Sequence, residues 1–176
     1  MAYEEKTITK NYIYRGKIIN LRKDEVLLPN NAVANREIIE HGGGACVLYE
    51  RDGKLLFVKQ FRYAYEETVL EIPAGKLEKG EDPALTALRE LQEETGVKAN
   101  RLELIFVMYP TPGYTNEKIY IYRAFDGEDC QIHLDEDEFL DAVWLEENEV
   151  RRMLNTGVIR DAKTLIALQH YFLNHK

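Results

Sequence analysis

The chain has 176 residues, of which 45% are hydrophobic and 31% charged, a composition typical of one folded domain with a proper core. Its formal net charge of −8 argues against non-specific binding to nucleic acid or an anionic membrane, but not against a phosphorylated small molecule bound through metal. We expect neither a secretory signal nor a membrane helix, because the first ten residues are polar and no apolar run approaches ~20 residues. Cys46 and Cys130 lack metal-like spacing, which favours reduced thiols in a cytoplasmic protein.

The N-terminal region alternates loosely between apolar and polar residues, which predicts two or three β-strands. A break at Arg15–Gly16 and a turn at Pro29–Asn31 divide it, and the segment 36–41 reads as a further strand. So small an antiparallel unit cannot bury its own apolar face, so it must pack on the main domain or on a second subunit. We place an N-terminal β extension at residues 1–40 and the main domain at residues 41–176.

The remainder of the chain mixes strand and helix patterns. Apolar segments predict strands at 45–49, 54–61, 102–109, 118–125 and 142–145. Helices are predicted after Asp82, at 147–155 and at 161–173, with a structured loop at 109–117 and an acidic loop at 126–138. Mixed strands flanked by two or three helices predict an α/β/α sandwich.

The helix after Asp82 has clear signals at both ends. Asp82 suits the N-cap, Pro83 suits the first helical position, and Gly96 can end the helix in a left-handed turn. Residues at three- and four-residue steps predict its buried face. They are Ala84, Leu85, Ala87, Leu88 and Leu91.

Three carboxylates converge on another face of this helix: Glu90, Glu93 and Glu94. Unless they are neutralised, they repel one another. The ordinary explanation of such a face is solvated charge, with Arg89 and Glu93 as a surface pair at i and i+4. The residues around the helix favour a different explanation.

Residues 75–97 match at every fixed position the sequence motif of the Nudix hydrolases. The fixed positions include Gly75, Glu81, the consecutive Glu93–Glu94 and Gly96. The resemblance implies an enzyme that hydrolyses a nucleoside diphosphate linked to another group. It implies Mg²⁺, with Mn²⁺ as a substitute, bound by the helix carboxylates, and hard divalent cations do prefer oxygen ligands.

The motif assigns roles along the helix. Glu90 and Glu94, one turn apart, are the first choice as metal ligands, and Glu93 takes a second metal or orients a ligand. Arg89 is interpreted as holding Glu93 in place. In the resembling enzymes the backbone carbonyl before the motif glycine also binds metal, which here is that of Ala74.

The motif leaves the residue that activates water open. In Nudix families that hydrolyse ADP-ribose, a carboxylate on a later loop serves catalysis or closes the metal site, and Glu138, just before Phe139, resembles it. Charge alone would favour a solvated, mobile loop here. Glu136 and Asp137 remain alternatives, since one sequence does not fix the loop register, and Glu93 is the next candidate base.

A second motif bears on the substrate. Pro112, Gly113 and Glu117 resemble the Ser/Thr-Pro-Gly…Glu pattern of ADP-ribose pyrophosphatases, although a simple turn between strands would look similar. Further matching stretches extend the resemblance over nearly the whole chain, from about Glu4 to Leu173. They are Arg36–Glu37, Lys59–Arg62 and Glu71–Gly75.

These stretches supply the expected substrate contacts. The guanidinium of Arg62 suits a diphosphate, and Arg36 and Glu37 suit the nucleobase or ribose. The predicted substrate-binding residues are Arg36, Glu37, Arg62, Glu71, Pro112, Gly113 and Glu117. Two departures from the family pattern, Gly43 for proline and Thr111 for serine, leave the nucleobase open, since related enzymes hydrolyse GDP-mannose.

The resemblance thus implies a Nudix α/β/α sandwich with a mixed sheet and an N-terminal antiparallel β extension that contributes to a homodimer. The leading hypothesis is a Mg²⁺-dependent enzyme that converts ADP-ribose to AMP and ribose 5-phosphate. Another nucleoside diphosphate sugar, such as GDP-mannose, is the alternative substrate. A module that binds ADP-ribose without cleaving it is the non-enzymatic alternative, but such modules typically lose motif carboxylates that this chain keeps.

Overall fold

The computed structural model describes residues 3–136 and 138–174, which form ten strands and three helices. They fall into two compact units: residues 1–43 with 109–118, and residues 44–108 with 119–176. The strands are β1 Lys6–Arg15, β2 Ile19–Leu27, β3 Val33–His41, β4 Gly44–Arg51, β5 Lys54–Arg62, β6 Glu67–Glu71, β7 Ala74–Lys76, β8 Val97–Met108, β9 Ile119–Asp129 and β10 Leu140–Glu146. The helices are α1 Pro83–Thr95, α2 Glu147–Asn155 and α3 Ala162–Asn174.

The first unit is a three-stranded antiparallel sheet in the order β1-β2-β3. The loop 109–118 attaches to the end of β3 through the backbone. The Ile39 amide donates to the Tyr114 carbonyl at 2.7 Å, and the His41 amide donates to the Asn116 side chain at 2.9 Å. The loop was predicted to be structured, and these hydrogen bonds to β3 order it.

The second unit is built on a mixed sheet in the order β10-β5-β4-β9-β8, with β6 paired to β5 and β7 paired to β4. Strands β4 and β9 run parallel, in a register that places Gly44 opposite Ile119. The other pairs in this sheet are antiparallel. The predicted mixed sheet is confirmed.

Strand β4 separates two hydrophobic cores, because successive side chains of a strand point to opposite faces of the sheet. Ala45 and Val47 pack in one core with Leu91 of α1, while Cys46 and Leu48 pack in the other with residues of α3. Full burial of such apolar side chains contributes about 1.5–3 kcal/mol each. Helices therefore cover both faces, and the predicted α/β/α sandwich is confirmed.

Helix α1 begins and ends as predicted. The Asp82 carboxylate accepts a hydrogen bond from the Ala84 amide at 2.8 Å, and Gly96 ends the helix with a φ of 69°. The predicted buried face is wrong at Leu85, which is 61% exposed. At 3.6 residues per turn, Leu85 lies roughly 200° around the helix from the fully buried Ala87. Thr86 and the two carboxylates Glu90 and Glu94 are buried instead.

Several strands are longer than predicted. Strand β8 starts at Val97, directly after the glycine that ends α1. It pairs with β9 from Val97 opposite Asp129 onward, so β9 extends into the predicted acidic loop.

Among the described residues, no helix is both long enough and apolar enough to cross a membrane.

Candidate active site

Strand β7 passes so close to α1 that the Glu90 carboxylate occupies the space beside Gly75. A Cβ added to Gly75 would lie 1.8 Å from Oε1 of Glu90. Gly75 is not among the residues with positive φ, so the close approach, and not a turn, favours glycine here. The Glu90 carboxylate is thereby fixed against the backbone of the motif loop.

Glu94 is held on the same side of the helix. It is 2% exposed, and its Oε2 accepts a hydrogen bond from the Ala74 amide at 3.0 Å. Burial raises the pKa of Glu94 to about 8, with further repulsion from Glu138 and Glu90, although the bond from Ala74 opposes the rise. Ionising Glu94 in the folded protein without metal therefore costs free energy.

Glu90 is similarly perturbed. Burial raises the pKa of Glu90 to about 7, against the opposing effect of Arg89, whose Nη1 is 2.9 Å away. Repulsion from Glu93 and Glu138 adds to the rise. Two adjacent buried carboxylates of this kind are stabilised by a positive charge placed between them.

Arg89 neutralises the outer part of the cluster. Besides Glu90 it contacts Glu81 at 3.2 Å and Glu93 at 2.8 Å, so the predicted Arg89–Glu93 contact is present. Its hydrogen bond lowers the pKa of Glu81 to about 2. Nη1 of Arg89 lies 2.9 Å from Glu90 and 2.8 Å from Glu93, so Glu93 lies beside Glu90 with the guanidinium between them.

Glu138 lies near the helix carboxylates although it belongs to a distant loop. It is half-buried, and its amide donates to the Asp135 carbonyl at 3.0 Å in a turn. Burial raises the pKa of Glu138, with Asp135 the next contributor. Glu136 is exposed, and Asp137 lies outside the described residues.

Arg62 and Glu71 form a bidentate pair at the ends of β5 and β6. Arg62 donates from Nε and Nη2 to the two oxygens of Glu71 at 2.6 and 2.8 Å. Glu71 is 3% exposed and also accepts from Lys163. Burial acts to raise the pKa of Glu71, but Arg62 and Lys163 outweigh it and the pKa is lowered.

A cavity of about 730 Å³ opens beside this pair. Its volume falls in the range of small-molecule sites. Its lining includes Arg62, Tyr63, Tyr65, Glu71, Arg160, Asp161 and Lys163. Arg62 borders the cavity and also acts electrostatically on Glu94 and Glu138, so it is near both the cavity and the carboxylates.

The other predicted substrate residues belong to the first compact unit. Arg36 pairs with Glu5, with Nε donating at 2.8 Å, and Glu37 is exposed. Pro112 and Gly113 lie in a turn of the loop 109–118. Glu117 contacts the His41 ring at 3.2 Å. In this unit, therefore, Arg36 and Glu117 have protein partners.

A divalent ion suits the Glu90–Glu94 pair on chemical grounds. Within residues 3–136 and 138–174, no three His, Cys, Asp or Glu side chains are grouped closely enough to hold an ion by themselves. The buried pair nevertheless offers hard oxygen donors whose charges need compensation. Mg²⁺ is usually bound through one or two carboxylates and keeps its remaining positions for water and substrate phosphate, which this pair allows.

Sequence reasoning assigned no role to Glu81 beyond its fixed position in the motif, and it missed Asp161 and Lys163. Glu81 could have been recognised, because it lies eight residues before Arg89 on the loop that feeds the helix. Asp161 lies at the start of a predicted helix, where a capping role is readable. Nothing in the sequence pairs Lys163 with Glu71, which is 92 residues away.

We expect Gly75→Ala to leave the fold intact but to impair any activity that depends on Glu90. The added methyl group would displace the Glu90 carboxylate, whose atoms lie within 2.6 Å of the position that the alanine Cβ would occupy. Activity and thermal unfolding of Gly75→Ala, Glu90→Ala and the double variant would be compared. If the substitution acts through Glu90, it should have no further effect on activity in the Glu90→Ala background.

Comparisons with known proteins agree with the fold. The chain belongs to the Nudix family of hydrolases, since the NUDIX domain model matches residues 40–168. A second model, the nucleoside diphosphate sugar hydrolase N-terminal domain, matches residues 5–39. The protein is therefore an enzyme of the Nudix class, and this family generally uses divalent metal ions.

Individual relatives cover nearly the whole chain. The ADP-ribose pyrophosphatase of Bacillus subtilis is 43% identical, with 96% of this chain and 93% of the relative covered. The methanol dehydrogenase activator of Bacillus methanolicus is 40% identical, with 96% and 92% covered. A solved structure, described as the crystal structure of ADP compounds hydrolase, matches with a TM-score of 0.85. It shares 20% identity and covers 97% of this chain and 93% of its own, which supports the fold.

Proposed function

We propose that this Nudix hydrolase cleaves the pyrophosphate bond of ADP-ribose or a related ADP-sugar, releasing AMP and the sugar phosphate, with Mg²⁺ as its metal and Mn²⁺ as a substitute. The observation that carries the proposal is the pair of buried carboxylates, Glu90 and Glu94, whose pKa values are raised. The similarity to the Bacillus subtilis ADP-ribose pyrophosphatase over nearly the whole chain supports the substrate.

In this proposal each residue has a separate task. Glu90 and Glu94, with the carbonyl of Ala74, hold the metal, and Glu93 orients a ligand or serves a second metal. Bound Mg²⁺ supplies charge neutralisation for the diphosphate and makes water a better nucleophile. Arg62 binds the diphosphate through its guanidinium. Glu138 accepts the proton of the water that attacks phosphorus as the bond to the bridging oxygen breaks.

In the first unit, Arg36 and Glu37 are proposed to contact the nucleobase or ribose, with Pro112, Gly113 and Glu117 shaping the loop 109–118. The observation that Glu117 contacts His41 favours a structural part for Glu117 in holding this loop. Residues 1–40 are proposed as the extension that dimerises and residues 41–176 as the hydrolase domain. A cytoplasmic location is proposed because Cys46 and Cys130 are free thiols.

A substrate panel tests the function. Purified protein would be given ADP-ribose, ADP-glucose and GDP-mannose with Mg²⁺, with Mn²⁺ or with a chelator, and AMP or GMP would be quantified. We expect the highest kcat/KM for ADP-ribose and no turnover with the chelator. Faster hydrolysis of GDP-mannose would move the assignment to another nucleotide sugar, and tight binding of ADP-ribose without hydrolysis would indicate the binding-module alternative.

The stability of the metal-free protein should fall as pH rises. In the folded chain the pKa values of Glu90 and Glu94 are raised from 4.5 to about 7 and about 8. Between pH 4.5 and 8 these two groups therefore bind more protons in the folded state than in the unfolded state, so they lower the free energy of unfolding as pH increases. Melting temperatures with a chelator from pH 5 to 8.5 would measure this.

Two comparisons test whether Glu90 and Glu94 cause this pH dependence of stability. Saturating Mg²⁺ should flatten the pH dependence, because metal binds the ionised carboxylates and releases their protons. Glu94→Gln should reduce the pH dependence without metal, because the amide does not titrate and only Glu90 of the two groups remains. An unchanged slope in Glu94→Gln would show that other groups produce the effect.

A homodimer is proposed from the first unit, whose sheet carries exposed apolar side chains. Among these, Ile13 is 59% exposed and Val33 is 62% exposed. We expect light scattering to return twice the 20.5 kDa mass of one chain. Ile13→Glu should shift the mass toward that of a monomer, because it places a charge on the apolar surface. Leu173→Glu, at a position 79% exposed in α3, is the matched control and should not change the mass.

A further inference from the structure

The hydrogen bonds of Arg62 leave one side of its guanidinium available. Nε and Nη2 donate to Glu71, which fixes the plane of the group at the end of β5. Within residues 3–136 and 138–174, Nη1 has no hydrogen-bond partner. The side chain of Arg62 is 40% exposed, whereas that of Glu71 is 3% exposed. The guanidinium of Arg62 is therefore fixed on one side by a buried carboxylate, and its other side is open toward the cavity.

Glu71 is held in turn by α3. Lys163, in the first turn of that helix, donates to Oε2 of Glu71, the oxygen that also accepts from Nη2 of Arg62. The side chain of Lys163 is 11% exposed, and it also donates to Asp161 at 3.0 Å. Lys163 therefore connects the carboxylate that orients Arg62 to the start of α3.

Asp161 fixes this connection to the backbone. Its Oδ2 accepts from the Thr164 amide at 2.9 Å and from the Thr164 hydroxyl at 2.6 Å, which caps α3. The Thr164 hydroxyl accepts from the Ile72 amide at 2.9 Å, directly after Glu71. These hydrogen bonds thus connect the start of α3 to the backbone directly after β6, the strand that carries Glu71.

Lys163 balances the charge of this group of side chains. Arg62 and Lys163 supply two positive charges, and Glu71 and Asp161 supply two negative charges, so the group is neutral. Without Lys163 this group would have two carboxylates and one cation, and Oε2 of Glu71 would keep only the hydrogen bond from Nη2 of Arg62. A buried carboxylate without a partner is strongly unfavourable. The Arg62 guanidinium would therefore move to neutralise Glu71 and Asp161, and it would be less available to a ligand.

We propose that Lys163 is a positioning residue for recognition of the substrate diphosphate. It holds Glu71 through Oε2, and Glu71 in turn holds the Arg62 guanidinium with Nη1 directed to the ligand. This inference rests on the proposed function, since it takes Arg62 to bind the diphosphate. It adds that the N-terminal turn of α3, far along the chain from the Nudix motif, determines substrate affinity.

The test compares Lys163→Met with two matched variants. Lys163→Arg retains the positive charge, and Lys54→Met removes a cation that pairs with Glu146 at 3.4 Å, at the opposite end of β5 from Arg62. We expect Lys163→Met to raise the KM for ADP-ribose by about 10-fold or more with little change in kcat, the scale found for partners that orient ligating residues. Lys163→Arg should restore most of the affinity, and Lys54→Met should change KM by no more than ~2-fold.

A second background separates positioning from general stability. In Arg62→Ala, Lys163→Met should have almost no further effect on KM, because the residue through which it acts is gone. An equal effect in both backgrounds, an unchanged KM in Lys163→Met, or an unchanged KM in Arg62→Ala would each overturn the inference. Should Lys163→Met fail to fold, Lys163→Gln, which keeps a hydrogen-bond donor without the charge, takes its place in both backgrounds.

Binding provides a readout that does not depend on turnover. Calorimetry with ADP-ribose and a chelator would give Kd for the same variants, and the same pattern is expected there. Failure of the proposed function would be seen in the wild-type protein, as absence of ADP-ribose hydrolysis in the substrate panel. Failure of this inference would be seen only between variants, as equal Kd for wild-type protein and Lys163→Met.

Discussion

Glu94→Gln is expected to remove nearly all turnover while the protein stays folded. The amide keeps an oxygen that can accept from the Ala74 amide, at 3.0 Å in the wild-type chain, so the helix and the motif loop remain joined. It loses the charge that would hold a divalent ion. Outer-shell changes at metal sites typically lower activity or metal affinity by 10–100-fold, so we expect a loss of at least about 100-fold from a ligand itself.

Stability should respond in the opposite direction. Because burial raises the pKa of Glu94 to about 8, the carboxylate weakens the metal-free fold at alkaline pH, and the neutral amide relieves this. Glu94→Gln should therefore unfold at an equal or higher temperature than the wild-type protein at pH 8.5 with a chelator. Glu103→Gln, an exposed carboxylate on β8, serves as the control for kcat. Near-wild-type kcat for Glu94→Gln at saturating Mg²⁺ would refute Glu94 as a ligand needed for turnover.

Glu138→Gln is expected to lower kcat by about 10²- to 10⁴-fold, the usual scale for loss of a general base. KM should change much less, because substrate affinity would depend mainly on Arg62 and the metal. Burial raises the pKa of Glu138, which makes it a better proton acceptor near neutral pH than an exposed carboxylate. Steady-state kinetics on ADP-ribose would measure both constants.

The neighbouring acids provide the internal comparison. Glu136 is exposed, so Glu136→Gln should be mild, and Asp137→Asn tests the residue that lies outside the described ranges. If either is more damaging than Glu138→Gln, the assignment within the loop is wrong. If all three are mild, the base lies elsewhere and Glu93 becomes the candidate.

The parts of the site that depend on local chain geometry were readable from the sequence. Asp82, Pro83 and Gly96 set the ends of α1, because capping involves groups only a few residues apart. The Arg89–Glu93 contact was readable for the same reason, since residues four apart on a helix are neighbours. The resemblance to the Nudix motif then supplied the chemistry that spacing alone did not.

The parts that depend on tertiary packing were not readable. Periodicity placed Leu85 on the buried face, because apolar character was taken as burial, whereas the side of α1 that faces the sheet also buries two carboxylates. The parallel register of β4 and β9 joins residues more than 70 positions apart. Contact of Lys163 with Glu71 depends on how α3 packs, and no local pattern encodes it.

The close approach of Gly75 to Glu90 sets a limit on engineering this enzyme for heat resistance. Replacing glycine by alanine normally stabilises a protein by about 0.4–1 kcal/mol where the backbone permits it, because the unfolded chain loses freedom. The backbone at Gly75 has no positive φ and would accept alanine, so this position invites that change. The three atoms nearest to an added Cβ all belong to the Glu90 carboxylate. Selection for thermal stability alone would therefore favour a substitution that displaces one of the two proposed metal ligands, so at this residue we expect thermostability and activity to be opposed.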